Sequence, residues 1–263
     1  MADPTLTLTR RPDGVATLRL NRPDIHNAFD DVLIGEMTAL LKEIAEDASI
    51  RLLILASEGK SFSAGADLGW MQRMASYGER ENFTDAVALT ELMEALDSLP
   101  MPVVGRIQGA AMGGGVGLVA CCDIAIAVDS AKFSLSEVRL GIIPAAIGPY
   151  VLRAIGTRQA RRYFLTGERF DAETAKRIGL LHEVVPADQL DAAVDEMVAT
   201  LLLAGPMATR AAKDLIAAIE GKELDGNLRR DTAARIARTR ATPEGKEGIA
   251  AFLEKRKPNW VAQ

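Results

Sequence analysis

The chain concentrates its chemistry in one glycine run and one acid. Gly109-Ala-Ala-Met-Gly-Gly-Gly-Val-Gly-Leu118 sets small residues in succession, and Glu137 follows twenty positions after its last glycine. Backbone N–H groups in such a run can approach a ligand closely, because no Cβ intervenes. They suit a group that carries or develops negative charge. Glu137, between Ser134-Leu-Ser136 and Val138-Arg-Leu140, is the candidate to move a proton. Position 117 is glycine, where a second acid would complete a pair.

Phosphate is the first rival ligand. A phosphate loop needs Gly-x-x-x-x-Gly-Lys-Ser/Thr, but Gly114 and Gly115 are followed by Val116 and Gly117. A nicotinamide fold places Gly-x-Gly-x-x-Gly directly after its first strand, and this run comes too late with the wrong spacing. A bare packing turn is the structural alternative. A second segment shifts the balance: Ser61-Phe-Ser-Ala-Gly-Ala-Asp-Leu68 joins a strand to a helix through a turn of small residues. One N–H from this turn and one from Gly113–Gly115 can serve a carbonyl oxygen as it becomes an enolate or oxyanion, given tertiary convergence.

The elements that must position these turns alternate. Thr5–Thr9 and Val15–Leu20 read as a hairpin around Arg11-Pro-Asp-Gly14, and Asn21-Arg-Pro-Asp24 stops the second strand. Asp30 is placed to cap a helix whose apolar residues include Val32, Leu33, Met37, Leu40, Leu41 and Ile44. Leu52–Ala56, Val103–Ile107 and Ile124–Val128 read as buried strands, with helices expected at Ala86–Leu96 and Leu118–Cys122. Residues 66–81, with Trp70, Met71 and Met74, read equally as a pocket wall or a partly buried helical face. From about Leu190 onward no strand is expected. Met207–Ile219, Leu228–Ile236 and Pro243–Glu254 are helical candidates in a C-terminal region. Short strands alternating with helices indicate an α/β fold with crossovers.

Composition narrows the class. The 263 residues are 48% hydrophobic and 25% charged, which suits one substantial core with a helical appendage. A net charge of -5 and 5% aromatic residues argue against nucleic acid as a partner. Met1-Ala-Asp-Pro4 shows no secretory leader, and Ile107–Ile126 is too interrupted for membrane insertion. Adjacent Cys121 and Cys122 cannot staple the fold and lack zinc spacing, so they read as core residues of a reduced, cytoplasmic protein with no metal site.

Three motifs carry a resemblance. Ser63-Ala-Gly-Ala-Asp-Leu68, Gln108-Gly-Ala-Ala-Met-Gly-Gly-Gly115 and Phe133-Ser-Leu-Ser-Glu-Val-Arg-Leu-Gly-Ile-Ile-Pro144 resemble the enoyl-CoA hydratase/isomerase, or crotonase, superfamily. Asn21-Arg-Pro with Asn27-Ala-Phe29, Tyr163-Phe-Leu-Thr-Gly167, Ala175 with Ile178-Gly-Leu180 and Phe252-Leu-Glu-Lys-Arg256 extend the match over nearly the whole chain. The resemblance implies a spiral of ββα units over residues 1–195. It also implies a C-terminal helical region, 196–263, that completes the CoA site and the interface of a homotrimer or a dimer of trimers. It implies an acyl-CoA substrate and no separate cofactor. Carried onto this chain, Ala66 and Gly114 supply the oxyanion N–H groups. His26, Ala28, Ala64, Ala66, Asp67 and Leu68 line the CoA path, and Lys255 and Arg256 meet its phosphates, across a subunit boundary if need be.

Glu137 matches the second acid of the common two-acid hydratase pattern, whereas Gly117 stands in place of the first. With that departure, the segments Gly117–Ala127 and Ser134–Tyr150 resemble bacterial methylglutaconyl-CoA and isohexenylglutaconyl-CoA hydratases. The implied reaction is a hydro-lyase one: reversible hydration of a branched, carboxylated enoyl-CoA. For 3-methylglutaconyl-CoA the product is 3-hydroxy-3-methylglutaryl-CoA. Arg139 is one candidate countercharge for the carboxylate, and a surface or intersubunit role fits it equally. Double-bond isomerisation, general enoyl-CoA hydration and noncatalytic acyl-CoA binding are the alternatives.

Overall fold

A computed structural model describes residues 4–261; the absence of a leader, read from the first residues, falls at Met1–Asp3 outside the described residues. Arg11-Pro-Asp-Gly14 turns β1 (Leu6–Arg10) into antiparallel β2 (Val15–Leu20), and β3 (Leu52–Ser57) runs parallel to β2. All six residues of β3 are buried, which explains its unbroken run of apolar and small side chains. A unit then repeats. β3 is followed by the short β4 (Ser61–Ser63), β5 (Val103–Ile107) by β6 (Ala110–Met112), and β7 (Ile124–Val128) by β8 (Lys132–Ser134). β9 (Arg169–Asp171) and β10 (Glu183–Val185) complete the strands.

The first strand of each pair enters a six-stranded sheet of order β1-β2-β3-β5-β7-β10. The second enters a four-stranded sheet of order β4-β6-β8-β9. Successive units pair in parallel within both sheets, so each turn of the chain needs a crossover. This is the ββα spiral implied by the resemblance. The small sheet, with strands of three residues, is a layer that the sequence reading did not separate.

The crossovers refine three expectations. In α1 (Asp31–Glu46) the Asp30 carboxylate accepts from Leu33 N–H at 2.9 Å, as a cap should. Its buried stripe is Leu33, Ile34, Met37, Thr38, Leu41 and Ile44. Val32, expected on that face, is exposed, because at 100° per residue it lies two steps of rotation from Ile34. α2 (Leu68–Met74) is a helical face: Trp70 is buried and its indole N–H donates to Asp85 at 2.8 Å. α3 (Glu79–Asp97) begins seven residues before the expected start, where Glu81 accepts from Gly78 N–H at 2.7 Å. Its first turns are exposed and carry no apolar period. α4 (Gly114–Ala120) starts inside the glycine run, not after it; burial of Gly115 and Val116 overrides glycine's helix cost of about 1 kcal/mol per residue.

α5 (Gly148–Thr166), α6 (Ala172–Arg177) and α7 (Leu190–Leu203) finish the core, and α8 (Pro206–Ile219), α9 (Gly226–Ala241) and α10 (Pro243–Leu253) follow. Among the last three helices only Ala251 is buried. Polar ties hold them to the spiral. Lys213 Nζ meets Asp123 Oδ2 at 2.7 Å, Arg210 donates to the Ile50 carbonyl, and Arg51 donates to the carbonyls of Leu202, Ala204 and Trp260. Cys121 and Cys122 are unbridged core residues whose thiol pKa values burial pushes up. Among the described residues no single helix is long and apolar enough to cross a membrane.

Candidate active site

The first turn spends every backbone donor but one. Ala64 N–H donates to the His26 carbonyl at 2.9 Å, Gly65 N–H to Ser63 Oγ at 3.2 Å, and Asp67 N–H to the Phe29 carbonyl at 3.0 Å. Phe29 N–H returns a bond to the Gly65 carbonyl at 2.8 Å, forming a parallel bridge between Phe29 and Ala66. In such a bridge the two Phe29 bonds go to residues 65 and 67, which turns the Ala66 N–H the other way. It donates to no described residue. Gly65 sits at φ 83°, and a Cβ there would lie 2.7 Å from the Met112 carbonyl oxygen. Glycine is required on both counts.

Gly65 also marks where the second turn arrives, since its Cβ position lies 3.6 Å from Gly114 N. In that turn Gly113, at φ 51°, donates to the Ser134 carbonyl at 2.8 Å, and its own carbonyl accepts from Val116 N–H. Gly114 is the first residue of α4, so its N–H has no helical acceptor, and it too donates to no described residue. A Cβ on Gly114 would lie 2.3 Å from Phe29 Cζ, and one on Gly115 would lie 2.8 Å from the Ser63 carbonyl. The two turns are therefore packed backbone against backbone. The first leaves the Ala66 N–H unspent, the second those of Gly114 and Gly115.

Glu137 lies on a 3-10 turn, Ser136–Leu140, at the mouth of α4. A Cβ on Gly113 would lie 3.2 Å from Glu137 Oε1, so the carboxylate rests against the second donor turn. Glu137 Oε2 is buried and without a hydrogen-bond partner. Burial raises the Glu137 pKa above its ordinary value, partly opposed by a hydrogen bond from its own backbone. A buried acid that keeps its proton closer to neutrality suits general acid–base work. Gly117, one turn along α4, opens onto no acid. A Cβ there would lie 2.3 Å from Ile147 Cγ2 and 3.1 Å from Met93 Sδ.

Of the residues assigned to the CoA path, the structure gathers His26, Ala28, Ala64, Ala66, Asp67 and Leu68 around the first turn. Ala64 and Leu68 are exposed, and Asp67 caps α2 by accepting from Trp70 N–H at 3.0 Å. His26 and Asn27 are consecutive non-glycine residues in the left-handed region, at φ 55° and 54°. The fully buried Asn27 side chain holds that bend, donating to the Glu58 and Ser61 carbonyls and accepting from Arg22 N–H. Arg22 in turn donates to the Ala28 carbonyl and pairs with Asp30 at 2.9 Å.

Lys255 and Arg256 stand apart, with no hydrogen bond or ion pair to this turn within the chain. Arg256 is held bidentate by Glu247 and again by Glu254, which raises its pKa. Lys255, at φ 56°, makes no ion pair among the described residues. Arg139 donates from Nε to the Thr166 carbonyl and packs on Gly167 at the end of α5. Ser63, Asn27, Phe29 and Ile147 were given no individual role by the sequence reading. All four do stand in its quoted segments, and only their partners were missing.

Three comparisons place this geometry among known proteins. Residues 10–263 match the family model described as enoyl-CoA hydratase/isomerase. A crotonyl-CoA hydratase from Syntrophomonas wolfei is 34% identical over 259 residues, covering 97% of this chain and 98% of the relative. The crystal structure of an enoyl-CoA hydratase from Shewanella pealeana shares 46% identity at a TM-score of 0.94, covering 97% of this chain and 96% of that one. AtuE of Pseudomonas aeruginosa shares 39% identity at a TM-score of 0.94, covering 98% of this chain and all of its own.

Proposed function

This chain belongs to the enoyl-CoA hydratase/isomerase family, and from that premise we propose that it hydrates a branched, carboxylated enoyl-CoA, 3-methylglutaconyl-CoA, to 3-hydroxy-3-methylglutaryl-CoA. The thioester oxygen accepts from Ala66 N–H and Gly114 N–H, one unspent donor from each of the packed turns. Glu137 takes a proton from water while the water oxygen bonds to C3. The C2=C3 electron pair moves into the thioester, and the two N–H groups stabilise the resulting enolate. Each donor of this kind is worth on the order of 3 kcal/mol at the transition state. Glu137 then returns the proton to C2, the enolate collapses, and atoms and charge balance.

The carrying observation is the buried, unpartnered Glu137 oxygen beside two backbone donors without acceptors. The branched, carboxylated substrate rests on the resemblance of Gly117–Ala127 and Ser134–Tyr150, together with glycine in place of the first acid. His26, Ala28, Ala64 and Leu68 border the CoA path. Lys255, whose ammonium has no ion-pair partner among the described residues, meets a CoA phosphate, and Arg256 reaches one only by leaving Glu247. Residues 196–263 form the oligomer interface of a homotrimer or a dimer of trimers. The exposed Ile216, Phe252 and Leu253 of α8 and α10 support that reading.

Double-bond isomerisation is the second reading. The single carboxylate favours it, because one base can abstract and return a proton without activating water. Turnover of 3-methylglutaconyl-CoA in water labelled with heavy oxygen separates the two. Hydration puts one solvent oxygen into the product, isomerisation leaves the mass unchanged, and binding without turnover leaves only a noncatalytic acyl-CoA protein. No reaction with branched, carboxylated substrates, alongside hydration of crotonyl-CoA, removes the specific assignment and leaves general hydration.

A further inference from the structure

Gly117 is more than a missing acid. It is buried on α4, and the direction in which its side chain would grow is filled: Ile147 Cγ2 at 2.3 Å, Ile147 Cβ at 2.8 Å and Met93 Sδ at 3.1 Å from the Cβ position. Ile147 is 2% exposed and Met93 fully buried, so hydrocarbon and a thioether fill this volume. Ile147 reaches it because Ile142–Ala146 leads directly from the Glu137 turn to the start of α5. Ile142 N–H donates to the Glu137 carbonyl at 3.2 Å, and Val151 N–H to the Ile147 carbonyl at 3.1 Å. The segment that carries the proton-moving acid therefore also delivers the hydrocarbon that seals the second position.

We propose that Ile147 is a positioning residue for the proton chemistry, paired with Gly117. It occupies the volume of any side chain at 117 and confines proton exchange on that side of the site to Glu137. The proposal rests on the hydration reading for its catalytic meaning and on packing alone for its steric half. The Met93 thioether is the end of a flexible side chain and can yield. Ile147 is β-branched, and both close contacts fall on its stiff inner atoms. A single substitution at 117 therefore collides with Ile147 Cγ2 at 2.3 Å, whereas joined to truncation of 147 to alanine it keeps only the milder contact with the Cβ at 2.8 Å.

A cycle of Gly117→Ala, Ile147→Ala and the double variant, followed by thermal melting, tests the steric half. Gly117→Ala in the parent is expected to lower Tm by roughly 5 °C or more, as overpacking does. In the Ile147→Ala background the same change is expected to lower Tm by clearly less, because the Cγ2 contact is gone and alanine is the better helix former, while only the Cβ contact at 147 remains. Equal Tm effects in both backgrounds overturn the pairing. The catalytic half is read from Gly117→Glu with Ile147→Ala, assayed on crotonyl-CoA. A second ionisation is expected in the pH profile of kcat/KM, with at least a roughly tenfold gain over Ile147→Ala alone. A purely structural Ile147 predicts an unchanged profile and no gain, which overturns the positioning role. If the parent enzyme incorporates no labelled oxygen from water, the hydration reading fails on its own, while the Tm cycle still decides the pairing.

Discussion

The two sides of the site are built from opposite materials. On the donor side, residues 63–67 and 113–115 contribute backbone, and what matters most is the side chains they lack. On the proton side, a single carboxylate faces a position closed by hydrocarbon. The donor side is welded to the fold. Gly65 and Gly114 touch backbone and the Phe29 ring at distances that no Cβ tolerates, so its chemistry and its packing cannot be changed separately. Among the described residues the Glu137 carboxylate makes no ion pair and accepts only from its own backbone, so its chemistry is separable from the stability of the fold.

The sharpest break of that contrast is Glu137→Gln. The amide keeps the shape and removes the proton, so kcat is expected to fall roughly 10²- to 10⁴-fold with no loss of Tm. Steady-state kinetics beside thermal melting checks both, and a retained rate dissolves the proton side as described. Gly114→Ala comes next. Its methyl would lie 2.3 Å from Phe29 Cζ, so the donor turn must shift. Loss of one aligned donor is expected to cost on the order of 10²-fold in kcat, this time together with a lower Tm. An unchanged Tm would show that the donor side is less tightly packed than its distances imply. Ser63→Ala is milder. Ser63 is fully buried, donating to the Asn27 carbonyl at 2.9 Å and accepting from Gly65 N–H at 3.2 Å. Its removal is expected to cost about 1–3 kcal/mol in denaturant unfolding, with a smaller loss of rate.

The same contrast governs what could be read from residues alone. The donor turns were legible because small residues are a local signal: Ala64-Gly-Ala66 and Gly113–Gly115 can be seen without knowing what they touch. Glu137 was legible only through its motif, since an isolated glutamate carries no mark of burial. Ile147 was not legible as a partner of Gly117. It sits among apolar residues, and its contact spans thirty positions that only the spiral closes. The fold divides in a similar way. The strands of the large sheet, at five or six residues apart from the three-residue β10, mostly carry a pattern, whereas the three-residue strands of the small sheet do not. α4 was placed too late because its sequence is poor in helix formers, and packing against Ser63 and Ile147 decides its start.

The smallest expected effect concerns how stability varies with pH. Burial raises the Glu137 pKa above 4.5, its ordinary value, and no cation offsets that burial. Below the unfolded value the acid is protonated in both states, and Glu137→Gln should match the parent. As pH rises from there to the folded value, the unfolded chain loses its proton first, so the parent loses stability across that window and then levels off. Glutamine has no proton to lose. The Tm of the variant minus that of the parent is therefore expected to start near zero at about pH 4 and grow to a plateau toward neutrality. Melting both proteins from about pH 4 to pH 8 measures it. A difference flat in pH would mean that a group across a subunit boundary compensates the carboxylate. A parent more stable than the variant at neutrality would mean that the proton side, like the donor side, is part of what holds the fold together.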